Sequence, residues 1–200
     1  MMSMIVVFFG LAHPLSESAS SNKGLQSYHV LFIMVLIFDV LTLKGSFFSI
    51  NDMIYFFEKE YYRNYLIITT NSATSAEHLA IRMLKNPATN RESHYGVAFA
   101  DKKWVGVQDG DEVLATPLTC TATNWPILAN NLKIKWVDVD PNTCNMDLDD
   151  LSRKITSKTK IIIPVHWGGY PNDLDKIKEI QKKAEEMNGF KPAVIEDCAH

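Results

Sequence analysis

Polar and apolar positions along this chain follow two regimes, and the change comes near residue 53. Beyond it, short β-rich runs alternate with longer stretches of helical period. Residues 66–70 read as a strand, and 74–85 carry Ala76, Leu79, Ala80, Met83 and Leu84 at the spacing of one helix face. Strands follow at 112–116, closed by Pro117, and at 134–139, ended by Asp140-Pro141. Two more fall at 160–165 and 193–196. Helices are predicted at 122–130, 148–155 and 174–187. The last has Leu174, Ile177, Ile180 and Ala184 on one face and Gly189 as its stop. The unbroken apolar run at 160–165 suits a strand covered on both faces. Strands alternating with helices imply βαβ crossovers, hence an α/β fold of three α/β/α layers around a mostly parallel sheet. One stretch breaks the rhythm. Residues 86–109 form a connection longer than most, and their Tyr95, Phe99 and Trp104 suggest a lid or a subunit contact.

The first fifty residues lack this alternation. Residues 5–11 are apolar but have no basic segment before them, which makes a poor signal peptide. Residues 30–43 are apolar apart from Asp39 and Thr42, about 14 positions against the roughly 20 that a membrane span requires. A buried helix or strand is the better reading, with a Ser/Asn-rich loop at 16–22 between the two runs. Residues 1–52 therefore read as a divergent N-terminal extension and 53–200 as part of one domain. Deleting the extension from a completed enzyme is expected to leave activity largely intact.

Charge and cysteines narrow the function classes. The net charge of −3 gives no footprint for nucleic acid. Lys176, Lys178, Lys182 and Lys183 fit the solvated face of an amphipathic helix. Cys120, Cys144 and Cys198 show no CxxC or Cys/His spacing, so neither a disulfide framework nor a zinc site is indicated, and a reducing cytoplasm is the default.

Two places carry candidate chemistry. The final run, Val194-Ile195-Glu196-Asp197-Cys198-Ala199-His200, is a strand that delivers an acid and a histidine at its carboxyl end, where ligands of open α/β sheets bind. Asn71-Ser72-Ala73-Thr74-Ser75 lies where a strand hands over to a helix, and the unpaired N–H groups of a helix N-terminus can hold a phosphate. From spacing alone, a cap by Asn71 or Ser72 is the simpler interpretation. His166-Trp167-Gly168-Gly169 ends another strand beside the same edge, with two glycines that permit a tight turn. Asp138-Val139-Asp140 has the Asp-x-Asp form of a metal-dependent nucleotide-sugar glycosyltransferase, although Pro141 points instead to a strand-ending turn.

Five motifs in order resemble the DegT/DnrJ/StrS-type sugar aminotransferases: NSATSAEHLAIRML (71–84), GDEVLATPLTCTATNWPIL (110–128), VDVDPNTCNMDLDDL (137–151), KTKIIIPVHWGGYP (158–171) and VIEDCAH (194–200). The resemblance covers roughly residues 55–200. It implies a fold-type-I pyridoxal-phosphate (PLP) domain like the large domain of aspartate aminotransferase, here truncated. It also implies amino transfer from an amino acid, usually glutamate, to a nucleotide-linked keto-sugar, and a homodimer when full length. Carried over residue by residue, Ala73 and Thr74, with Ser75 adjacent, contact the cofactor phosphate. Asp197 pairs with the ring nitrogen, and His200 lies near the ring oxygen. Cys120 stands where the family places an aromatic residue against the ring, with Trp125 and Trp167 the other aromatics at hand. Cys198 is implied to be a small packing residue. The Schiff-base lysine of the family falls beyond His200, so no catalytic residue is assigned, and the chain alone is expected to be catalytically incomplete. A sugar dehydratase, with histidine in place of that lysine, and a non-catalytic fragment are the alternatives. The truncated sheet is expected to leave the last strand with an uncovered neighbour.

Overall fold

Alternation within the apolar strands decides which helices cover which face. The computed structural model describes residues 4–10, 30–36, 65–70, 72–85 and 104–199. In chain order these form β1 (Met4–Gly10), β2 (Val30–Leu36), β3 (Tyr65–Thr70), α1 (Ala73–Leu84), β4 (Glu112–Ala115) and α2 (Thr121–Ala129). They continue with β5 (Lys133–Trp136), α3 (Leu148–Lys154), β6 (Thr159–Ile163), α4 (Leu174–Asn188) and β7 (Ala193–Cys198). Ile161 and Ile163 of β6, Val113 and Ala115 of β4, and Ala193 and Ile195 of β7 pack with Ala76, Ala80 and Ile81 of α1 and Ile127 of α2. The intervening Ile162, Leu114 and Val194 face the other way, onto Leu148 and Leu151 of α3 and Ile177 and Ile180 of α4. This two-residue period turns continuous apolar runs into the middle layer of an α/β/α stack.

The helix ends follow local chemistry. Asp147 caps α3 by accepting from the N–H groups of Asp149 and Asp150, and Asp173 caps α4 by accepting from Lys176 N–H. The α4 helix stops at Gly189, whose φ of 77° is the left-handed conformation that glycine adopts without a Cβ penalty.

The strand order is β3-β1-β2-β7-β6-β4-β5. β2, β7, β6, β4 and β5 run parallel to one another, while β1 runs antiparallel to both β2 and β3. The mostly parallel sheet is as expected. Two expectations are corrected. The last strand has no uncovered side, because β7 pairs with β6 on one edge and β2 on the other, from Val30↔Val194 to Met34↔Cys198. Moreover, β1 and β2 come from the first 52 residues and lie inside the sheet, between β3 and β7. The intervening residues 11–29 and 37–52, including the Ser/Asn-rich stretch, fall outside the described ones.

Trp104 is also corrected. It is buried in the core and donates its indole N–H to Leu84 O at 3.0 Å, and Val107 N–H bonds the same carbonyl at 3.1 Å. This closes the C-terminus of α1, so Trp104 belongs to neither a lid nor a subunit contact; Tyr95 and Phe99 lie outside the described residues. No helix among the described residues is long and apolar enough to cross a membrane.

Because β1 and β2 link β3 to β7 through backbone ladders, their removal is expected to destabilise the sheet. A chain starting at Ile50 should lose the sharp thermal transition of the full chain, followed by circular dichroism. An unchanged transition would show that β1 and β2 are dispensable.

Candidate functional site

β3 lies parallel to β2 by way of β1, so β3, β4 and β7 all end at the same edge of the sheet. At the end of β3, Ser72 caps α1. Its hydroxyl accepts from Ser75 N–H at 3.1 Å, its carbonyl accepts from Ala76 N–H, and Thr70 Oγ1 donates to that carbonyl at 2.9 Å. The cap uses the Ser75 amide, and helix geometry leaves the N–H groups of Ala73 and Thr74 without intrahelical acceptors. The capping and phosphate-holding interpretations of this segment therefore coexist. Ala73 has a helical backbone and packs against the core beside α1, so a glycine is not required at this position by a positive φ. Asn71 lies outside the described residues.

At the end of β7 the pleat sends adjacent acids to opposite faces, and each is almost wholly buried, Glu196 at 2% and Asp197 at 3% exposure. Asp197 faces α2. Its Oδ2 accepts from Thr123 Oγ1 at 2.7 Å and its Oδ1 from Ala199 N–H at 3.0 Å. Thr119 and Thr123 hydroxyls lie 3.0 Å apart; since Thr123 spends its proton on the carboxylate, Thr119 donates to Thr123. Backbone bonds fix the same point, with His166 N–H to Asp197 O and Asp197 N–H to Pro164 O, both at 3.0 Å. Thr119 and Thr123 went unread in the sequence, where the only signal was the density of hydroxyls in TPLTCTAT.

On the opposite face, His166 Nδ1 accepts from Asn172 N–H at 3.0 Å, which assigns the ring proton to Nε2 and directs it to Glu196 Oε2 at 3.0 Å. Ligand atoms of His166, Glu196 and Cys198 lie within 4.8 Å of one another. With Nδ1 engaged by the amide and Nε2 carrying the proton, the ring has no lone pair for a cation, so this geometry is a hydrogen-bonded pair. Burial, with Glu196 and Asp197 adding to it, pushes the Cys198 thiol up to about 12, which keeps it from nucleophilic work. The turn at Trp167–Gly169 contains two positive-φ glycines, as the sequence suggested, and is tied down by Trp167 N–H on Asn145 Oδ1 at 2.9 Å.

The remaining candidates divide. Cys120 is the N-terminal cap residue of α2, exposed, with no side-chain cap bond. Trp125 is 59% exposed on α2, so it is not a core residue. The Asp138-x-Asp140 carboxylates turn to their own backbone: Asp138 Oδ1 accepts from Val139 N–H and Asp140 Oδ1 from Asn142 N–H. They serve a turn, which removes the support for a metal-dependent transferase. His200 is outside the described residues. Lys160, whose ammonium is pushed down by burial, sits 3.5 Å over the Phe190 ring at the start of β6, the opposite edge of the sheet.

Glu77 is the residue that sequence reading missed. It lies four positions after Ala73 on α1, is 1% exposed, and interacts electrostatically with both Asp197 and Cys120. It thereby links the start of α1, the start of α2 and the end of β7. The signal was positional: an acid four residues before the buried Ile81, on the helix stripe that meets the sheet.

The model of the DegT/DnrJ/EryC1/StrS aminotransferase family matches residues 97–200, more than half of the chain. The solved structure of the sugar aminotransferase CalS13 from Micromonospora echinospora is 43% identical, with 62% of this chain and 28% of that one covered and a TM-score of 0.50. That of Spr1654 from Streptococcus pneumoniae, in a PLP form, is 29% identical, with 65% and 30% covered and a TM-score of 0.51. The GDP-4-keto-6-deoxy-D-mannose 3-dehydratase of Yersinia pseudotuberculosis is 42% identical over 71 residues, 36% of this chain and 18% of the relative. The chain spans from 18% to 35% of the length of the first curated relatives that it matches. With the motifs in order on an α/β/α frame, the chain belongs to the DegT/DnrJ/EryC1/StrS aminotransferase family, a family of PLP-dependent sugar aminotransferases and sugar dehydratases.

Proposed function

We propose that this chain is the cofactor-holding portion of a PLP-dependent aminotransferase that moves an amino group from an amino acid, glutamate by preference, to a nucleotide-linked keto-sugar. Products of that chemistry enter polysaccharide, cell-surface glycan or antibiotic-sugar biosynthesis, and the site of action is the cytoplasm. The observation that carries the proposal is Asp197, buried at the carboxyl end of β7 and aimed by the Thr119–Thr123 hydroxyl relay. The α1 amides of Ala73 and Thr74, with the Ser75 hydroxyl beside them, suit a phosphate dianion. This donor set fits the cofactor at both ends.

Pyridoxal phosphate, when bound, supplies an electron sink for charge that builds on the substrate carbon bearing the amino group. The chain's part is positional. Ala73, Thr74 and Ser75 would hold the phosphate, and Asp197 would accept from the ring N–H and keep that nitrogen protonated. By the family resemblance, Cys120 would border the ring and His200 would serve the ring oxygen. Thr123 prevents Asp197 from rotating away. A homodimer is part of the proposal; the exposed Trp125 and Leu128 on α2 offer apolar surface for a contact.

The 42% identity to a sugar dehydratase favours a second reading, in which the same site serves removal of a hydroxyl. Coding DNA read past His200 separates the two: lysine at the family's Schiff-base position indicates transfer, histidine dehydration.

Two measurements test the site. Asp197→Asn keeps the shape and removes the charge. It should weaken binding of pyridoxamine 5′-phosphate, followed by fluorescence, about tenfold or more, since a hydrogen bond to a charged group is worth about 1.5–3 kcal/mol. Unchanged affinity would remove Asp197 from the site. Thr123→Val leaves a buried carboxyl short of one donor and should cost about 1–3 kcal/mol in urea unfolding, together with a several-fold loss of the same affinity. A loss of stability without a loss of affinity would make Thr123 purely structural.

A further inference from the structure

Glu77 has no place in the function described above, yet it is buried on α1 where Asp197 and Cys120 act on it. Its side chain is 1% exposed, and neither carboxyl oxygen completes a hydrogen bond. Among the described residues no cation acts on it. The groups that act on it are Asp197 from β7 and Cys120 from the cap of α2, both of which disfavour a negative charge, and α2 itself (Thr121–Ala129) contains no ionisable residue. The sequences of β1, β2 and β3, which also pack on α1, include no ionisable residue except Tyr65. A bare carboxylate in such a setting is strongly disfavoured over the neutral acid. Two carboxylates side by side have only acceptors to offer each other, which is why no bond closes between them; one proton supplies the missing donor.

We propose that Glu77 and Asp197 form a one-proton carboxyl pair, in which Glu77 carries the hydrogen and donates it to Asp197. The inference rests on the assignment of Asp197 to the ring nitrogen. Glu77 is a positioning residue acting through Asp197. Its donated bond draws charge from the Asp197 carboxylate and so tempers the grip of Asp197 on a protonated ring nitrogen. It also keeps a transferable proton one helical turn from the phosphate amides of Ala73 and Thr74.

Burial first, and Asp197 second, raise the Glu77 carboxyl well above its ordinary 4.5. The folded chain therefore retains a proton that the unfolded chain releases above about pH 4.5, so stability falls as pH rises from there through the folded-state value. Glu77→Gln, a neutral isostere, abolishes that component.

The test uses the full chain without cofactor, labelled with carboxyl-13C glutamate and titrated by NMR. One glutamate carboxyl should remain at its protonated position at pH 7 and vanish from the spectrum of Glu77→Gln. In Asp197→Asn its midpoint should fall by about one pH unit or more, as removal of a like charge requires. The thermal midpoint should drop more between pH 5 and pH 8 in the native chain than in Glu77→Gln. If every glutamate titrates near 4.5, the pair does not exist, whether or not Asp197→Asn folds. If the midpoint ignores Asp197→Asn, Glu77 is merely buried and the coupling is overturned. Because no cofactor is present, these outcomes stand apart from pyridoxamine phosphate binding, which tests Asp197 alone.

Discussion

The structure turns on the need to satisfy two adjacent acids inside one central strand. Glu196 and Asp197 of β7 are both nearly buried, and the pleat sends one to each face of the sheet. A buried, ionised carboxylate without partners would cost more than a typical domain can spare. Each acid has therefore drawn in a dedicated donor: His166 for Glu196 and Thr123 for Asp197. Those donors come from the ends of β6 and the first turn of α2, so the polar requirement of β7 fixes the neighbouring elements as firmly as the apolar layers do. The backbone bridges between Pro164, His166 and Asp197 hold the same junction from the main chain.

The two faces serve different ends. On the side of α3 and α4, His166 is locked by Asn172, and Asn172 in turn donates to Val165 O at 2.7 Å, a closed network that stiffens the loop after β6. On the side of α1 and α2, the network is open. Asp197 keeps its place through one hydroxyl and one amide, the α1 amides of Ala73 and Thr74 have no helical acceptor, and Glu77 completes no bond at all. Unmet donors and acceptors gathered at the carboxyl edge of a sheet distinguish a ligand site from a core, and this asymmetry falls on the face that the family motifs indicate.

The placement of β1 and β2 ties that site to the start of the chain. β3, which leads into α1, reaches β7 only through them. The α1 amides of Ala73 and Thr74 and the Asp197 carboxyl are thus held at a fixed separation by a ladder that begins at Met4. The amino-terminal runs carry none of the family motifs, but their apolar composition and seven-residue lengths suit the interior of a sheet.

The sequence by itself determined the alternation of strands and helices from residue 65 onward and the stop at Gly189, because these depend on local periodicity and capping. The stripe it gave α1, Ala76, Leu79, Ala80, Met83 and Leu84, does pack on the core, but it left out Ile81 and also Glu77, since a polar residue in a helix reads as solvent-facing until its neighbours are known. It assigned residues 5–11 and 30–43 no partner, because an apolar run states only that it will be buried. Strand order, the entry of β1 and β2 between β3 and β7, the hydroxyl relay onto Asp197 and the meeting of Glu77 with Asp197 were decided by tertiary structure alone. Each joins positions dozens of residues apart, and no local pattern encodes which distant group a buried polar atom will find.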